Sequence, residues 1–120
     1  MEKILNVLLH IDESENWDLV CRNADELLKM AEIGNYIINV EIVVTEEAVK
    51  SLAIGNVNVL TLKDSLEKLN EKGVFVYASS NSLKEYGVDH GVVFPFVKIV
   101  PSGVFHIALR TSEGFGYIRP

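Results

Sequence analysis

The stretch Ile4-Leu5-Asn6-Val7-Leu8-Leu9 is apolar at nearly every position, the signature of a strand covered on both faces, and it predicts a first strand over Lys3 to Ile11. From Ser14 to Glu32 the period changes. Trp17, Val20, Cys21, Ala24, Leu27, Leu28 and Ala31 recur at three- and four-residue steps, so a helix runs there, capped by Asp12 or Ser14 and stopped by Gly34. Tyr36 to Val44 is β-branched and predicts a second strand. Thr45 then caps a short helix through Ile54 that ends at Gly55, and Leu62, Leu66 and Leu69 share one face of a further helix closed by Gly73. Val74 to Ala78 is the third strand. It leads into a polar turn, Ser79-Ser80-Asn81-Ser82, and a brief helix that stops near Gly87. Asp89 to Phe96 is irregular and aromatic, with Pro95 unsuited to a central strand, and Val97 to Val100 forms the fourth strand. Pro101 and Ser102 open a helix to about Ser112, Gly114 breaks it, and Phe115 to Ile118 supplies a last short strand.

Strands that alternate with helical connections specify an α/β fold: a three-layer α/β/α sandwich around a mainly parallel sheet of about five strands, in one domain spanning residues 1–120. Ligands collect beyond the carboxyl ends of the strands in such folds. That rule selects His10, Asp12 and Glu13 after the first strand, Thr45 and Glu46 after the second, Ser79 to Ser82 after the third, and Pro101, Ser102 and Gly103 after the fourth.

Composition narrows the partners. A formal charge of −6 with scattered acidic residues offers no basic patch to a phosphate backbone, so nucleic acid is not expected. Hydrophobic residues make up 48% of the chain, rich for its length, which hints at a buried subunit interface. The lone Cys21 permits neither an internal disulfide nor a multi-thiolate zinc site, as suits a reducing compartment. Met1-Glu2-Lys3-Ile4 lacks the pattern of a signal peptide and no apolar run reaches membrane-spanning length. A cytoplasmic protein without membrane contact is the expectation.

Several chemistries fit the strand-end residues, each with a plainer competitor. Ser79, Ser80, Asn81 and Ser82 can hold an anion or oxyanion on free backbone N–H groups, or they can simply cap the helix that follows. His10 can act as base toward Ser79 if the first and third strands are close, yet no G-x-S-x-G elbow surrounds any serine, and a hydrogen-bonded structural histidine is the competitor. His10 with Asp12 or Glu13 offers two metal ligands, while His90 and His106 fall in segments placed elsewhere, so no metal is expected. Dinucleotide and nucleotide-phosphate loops are missing, so no cofactor is expected either. Cys21 lies one turn after Trp17 on the face of Ala24 and Leu28, where a thiol is a small apolar filler.

Four segments together carry a resemblance: His10-Ile11-Asp12-Glu13-Ser14 with Trp17, Ala78-Ser79-Ser80-Asn81-Ser82-Leu83, Val100-Pro101-Ser102-Gly103-Val104, and Glu113-Gly114-Phe115-Gly116-Tyr117-Ile118-Arg119-Pro120. The chain resembles the DsrE/DsrF-like family over almost its whole length. The resemblance implies a DsrEFH-like α/β/α fold, trimers or hexamers, and kinship with proteins that relay sulfur as a cysteine persulfide, with a protein partner in sulfur metabolism. In many relatives the turn after the third strand carries that cysteine, and the matching position here is Ser79. A hydroxyl cannot carry a persulfide, because the relay needs a thiolate sulfur that attacks and is then attacked.

The resulting expectation is a homo-oligomer that binds a small anionic or sulfur-containing ligand, or serves assembly, without catalysis. Its site comprises His10, Asp12, Ser79, Ser80, Asn81, Ser82, Pro101, Ser102 and Gly103. The competing readings are a sulfurtransferase that uses Cys21 and a small hydrolase that uses Ser79 with His10.

Overall fold

A computed structural model describes residues 3–54 and 60–120. Strands β1 (Lys3–Ile11) and β2 (Tyr36–Val44) pair in parallel along their full length, from Lys3 opposite Tyr36 to Ile11 opposite Val44. Strands β3 (Phe75–Ser79) and β4 (Lys98–Val100) extend the sheet on the β2 side, and β5 (Gly116–Ile118) closes the other edge beside β1. The order is β4-β3-β2-β1-β5 and every pairing is parallel. The sandwich anticipated from the alternation is therefore present, with a sheet that is wholly parallel.

This order decides where the helices go. The chain steps in one direction from β1 to β4, so right-handed crossovers stack their helices on a single face, and only the return from β4 to β5 crosses the other. Burial follows that rule. Val7, Leu9 and Ile11 of β1, with Val40, Ile42 and Val44 of β2, enter the large core beneath α1 (Trp17–Gly34) and α2 (Leu60–Glu71), where Val20, Ala24, Leu66 and Leu69 meet them. The alternate residues Leu8, Val43 and Tyr77 form a smaller cluster with Ile107 of α4 (Gly103–Ser112) and Phe115. A buried carboxylate pins α4 there: Glu41 Oε1 lies 2.9 Å from His106 Nε2 and accepts from Arg110 Nε at 3.1 Å. A helix of ten residues does not span the whole sheet face. Ile4 and Ile37, paired at its far end, stay 59% and 45% exposed, and Phe75, opposite Glu41 on the neighbouring strand, is exposed on the same face.

Local chemistry shifts several boundaries. The first helix begins as a 3-10 turn, Ser14–Asn16, and neither Asp12 nor Ser14 caps it, since Asp12 binds Arg119 and the Ser14 hydroxyl meets Ser51. Asn35, not Gly34, makes the left-handed stop at φ 58, a conformation asparagine tolerates better than most residues. Gly34 is needed for space instead, because a Cβ there would meet the Tyr36 ring at 2.9 Å. The segment after β2 is 3-10, Glu46–Leu52, and Thr45 does not cap it with its side chain. Gly55, expected as its end, lies outside the described residues. Asp89 to Phe96 is irregular as expected, holding a short 3-10 turn, His90–Val92, and one antiparallel bridge between Ala53 and Val93.

Candidate functional site at the carboxyl ends of the strands

Ser79 is the last residue of β3 and at the same time the cap of α3 (Ser80–Glu85). It is not part of an open turn. Its side chain is 3% exposed, and its Oγ accepts from the backbone N–H of Gly103 at 3.0 Å and, more weakly, from that of Ser82 at 3.4 Å. Ser82, also buried, accepts from the Glu46 N–H at 2.8 Å, and Glu46 sits at φ 54, an uncommon conformation for a side chain of its kind. The Asn81 N–H donates to the Pro101 carbonyl at 3.3 Å, and Ser102 caps α4 by accepting from Phe105 N–H at 3.1 Å. Gly103 fits because it has no side chain: a Cβ would stand 2.5 Å from Thr45 Cγ2 and 3.0 Å from Ser79 Cβ. The residues selected after the second, third and fourth strands thus converge on one knot of backbone donors and small side chains.

His10 meets this knot through Thr45. Its Nε2 lies 2.8 Å from Thr45 Oγ1 and its Nδ1 lies 2.6 Å from the Tyr117 hydroxyl. Burial lowers the imidazole pKa from its ordinary value of 6.5, with Asp12 opposing and Arg119 assisting. A neutral ring has one donor and one acceptor nitrogen, and either hydroxyl can answer either role. Both carboxylate oxygens of Asp12 accept from the single Arg119 Nη2, at 2.8 and 3.1 Å, which ties the end of β1 to the C-terminal segment beyond β5.

The approach of β1 to β3 on which a His10–Ser79 pair depends does not occur, since β2 lies between them. His10 makes no hydrogen bond to Ser79, so the general-base contact a hydrolase requires is missing from this arrangement. His90, whose segment the sequence places elsewhere, instead reaches the site: its Nε2 lies 3.3 Å from Ser80 Oγ. His106 is buried against Glu41 under α4. Among the described residues no three histidine, cysteine or acidic side chains converge in a metal-binding group. Cys21 is half-buried on α1, where burial, with Asp25 and Asp18 adding, pushes its thiol up to about 11. At neutral pH that sulfur is protonated. Tyr117, Arg119 and His90 are the contacts the sequence did not announce. Tyr117 and Arg119 stand 107 positions from His10 and Asp12, and no local period links residues so far apart.

Neither a protein-family profile nor a curated protein matches the chain. Solved structures do. The chain is similar to MTH1491, a protein of unknown function from Methanobacterium thermoautotrophicum, with 30% identity, a TM-score of 0.85, and coverage of 97% of this chain and 99% of that one. It is also similar to the E. coli protein YchN, at 17% identity with a TM-score of 0.67 over the full length of both chains, a likeness that speaks to fold alone. No described helix is long and apolar enough to cross a membrane.

Proposed function

Because the chain belongs to the same family as MTH1491 and has the DsrE-like fold of YchN, we propose that it is a homo-oligomeric binding or assembly subunit that does not relay sulfur. The observation that carries this reading is the state of Ser79. In the DsrE-like resemblance this is the position of the persulfide cysteine, and here a buried oxygen occupies it, held by the N–H groups of Gly103 and Ser82. An alcohol oxygen cannot form the persulfide that a relay passes on. Cys21 gives no substitute, because its thiol stays protonated and it belongs to α1, not to the strand-three end.

The exposed surface of the knot supports binding of a small polar or anionic ligand, sulfur-containing ligands included. Asn81 is exposed beside Pro101, and His90 stands near Ser80. Self-association finds support in the incompletely covered sheet face, where Ile4, Ile37 and Phe75 are exposed on the side that carries α4, and α4 itself turns Val104 and Phe105 outward at 68% exposure each. Trimer or hexamer, a protein partner in sulfur metabolism and a cytoplasmic location are parts of the same reading, supported by the fold likeness and by the reduced lone cysteine.

Incubating the purified chain with a persulfide donor and measuring its intact mass tests the proposal. The expected spectrum is that of the unmodified protein. Stable, stoichiometric gain of sulfur, mapped to Cys21, would overturn it.

A further inference from the structure

On the face opposite α4, a cleft of about 610 Å³ opens between α1, the 3-10 segment Glu46–Leu52 and the first turns of α2. A smaller recess of about 250 Å³ continues it along α1 and α2 past Cys21 and Ser65. Such a volume suits a small molecule. The cleft involves none of the residues of the strand-end knot, so its occupation and the reading of Ser79 stand or fall separately.

Trp17 lines the cleft and holds an unspent donor. The residue is 6% exposed, yet Nε1–H, fully buried, has no hydrogen-bond partner among the described residues. Buried donors are nearly always satisfied, and an orphan beside a cavity marks where an acceptor belongs. Thr61 and Ser65, one turn apart on exposed positions of α2, line the same cleft together with Ser14 and Ser51, whose hydroxyls stand 2.7 Å apart. Hydroxyls both donate and accept, which matches a ligand that does the same.

Charge at the rim argues against an ionic occupant. Asp18 is paired with Arg22 at 3.1 Å, Glu47 accepts the Ser14 N–H at 2.8 Å, and the Lys50 ammonium lies 5.4 Å above the Tyr86 ring. Both signs are present at the rim, and the recess adds Asp25 alongside Lys68 and Lys72, so no single-sign field is set up to attract an anion or a polyamine. Trp17, Leu62 and the protonated Cys21 add apolar surface for carbon-bound hydrogens. We propose that this cleft binds a small neutral polyol of monosaccharide size, one of whose oxygens accepts the Trp17 indole N–H.

Trp17 is the chain's only tryptophan, so its fluorescence reports on this cleft alone. The full chain is titrated with ribose, glucose, galactose and myo-inositol, following emission and, in parallel, heat by calorimetry. At least one sugar is expected to give a saturable change by both readouts, and Thr61→Val with Ser65→Ala is expected to weaken it about tenfold while leaving the thermal midpoint in place. Both substituted positions are exposed, so the fold survives the change. Three results would each overturn the proposal: no saturation by any sugar up to about 50 mM, affinity indifferent to the double substitution, or tighter saturation by inorganic phosphate or spermidine than by the sugars.

Discussion

Ser79 Oγ accepts the backbone N–H of Gly103 at 3.0 Å, so one side chain at the end of β3 fastens the start of α4, twenty-four positions further along the chain. The same oxygen caps α3 through Ser82, so one buried atom joins the two helix starts that frame the strand-end site. Ser79→Ala leaves both N–H groups buried without that partner, which costs about 1–3 kcal/mol. For a chain of this size that lowers the thermal midpoint by roughly 3–6 °C per kcal/mol. An unchanged midpoint by calorimetry would show that Ser79 does not hold the knot together.

Gly103 is set by space. With a Cβ 2.5 Å from Thr45 Cγ2 and 3.0 Å from Ser79 Cβ, Gly103→Ala forces α4 outward or Thr45 off its rotamer, at a cost of about 1–3 kcal/mol. Thr45→Ser removes the nearer obstacle and keeps the hydroxyl that meets His10. The double variant should therefore be more stable than the two single losses predict when added, by about 0.5 kcal/mol or more in a double-mutant cycle. Simple additivity in chemical denaturation would contradict the packing described.

His10 makes stability depend on pH in a definite direction. Its folded-state pKa lies below the ordinary 6.5 because burial disfavours the cation, so below that pH the unfolded chain takes up the proton first. Stability is then complete above about 6.5 and is lost as pH falls toward the folded value. Glu47 acts lower: its pKa is held beneath the ordinary 4.5 by hydrogen bonds from Ser14, so its contribution disappears only below that value. Urea midpoints measured from pH 8 to pH 5 should fall in the parent chain and stay flatter in His10→Asn. A parent midpoint that rises on acidification would reverse the sign assigned to His10.

The strands and the long helix were legible because each has its own period, near-continuous apolar runs for buried parallel strands and three-and-four spacing for α1. The strand-end rule also selected, without coordinates, segments that lie together: Thr45, Ser79, Ser82 and Gly103 meet through Ser79 and Gly103. What sequence could not convey was the role of each group. Thr45 has the residue type of a helix cap, yet its hydroxyl serves His10, and whether His10 reaches Ser79 depended on strand order, which no local pattern encodes. His10–Tyr117, Asp12–Arg119 and the buried Glu41 with His106 and Arg110 are long-range pairings fixed by how α4 and β5 return across the sheet. Gly34 shows the same limit on a smaller scale, because its neighbour Asn35 makes the stop while Gly34 yields room to Tyr36.

Cys21 should be a slow nucleophile. A thiol pushed up to about 11 has roughly a hundredth of the thiolate of one at its ordinary 9.0 near neutral pH. Higher intrinsic nucleophilicity of the more basic sulfur recovers part of this, leaving alkylation by iodoacetamide about tenfold slower than that of an unperturbed thiol before any steric hindrance. The rate should keep climbing with pH beyond 9. Levelling off at about pH 10 would mean an ordinary thiolate, and a plateau already reached by about pH 8 would mean an activated one, which would return the sulfurtransferase reading of Cys21.

The apolar surface on the α4 side gives the oligomer prediction a handle. Val104 and Phe105 are each 68% exposed on a helix whose other face is already anchored by His106 and Arg110 on Glu41, so replacing them leaves the fold's own contacts in place. Burying the exposed two thirds of two such side chains at a subunit contact contributes about 2–4 kcal/mol per copy, and a charge in their place adds the cost of desolvating it. Light scattering at micromolar concentration should give a multiple of 13.4 kDa for the parent chain and a single copy for Val104→Glu with Phe105→Glu. The circular dichroism of the two should agree. A parent that scatters as one copy refutes self-association, and a double variant that remains assembled moves the contact away from α4, toward the other exposed surfaces of the sheet.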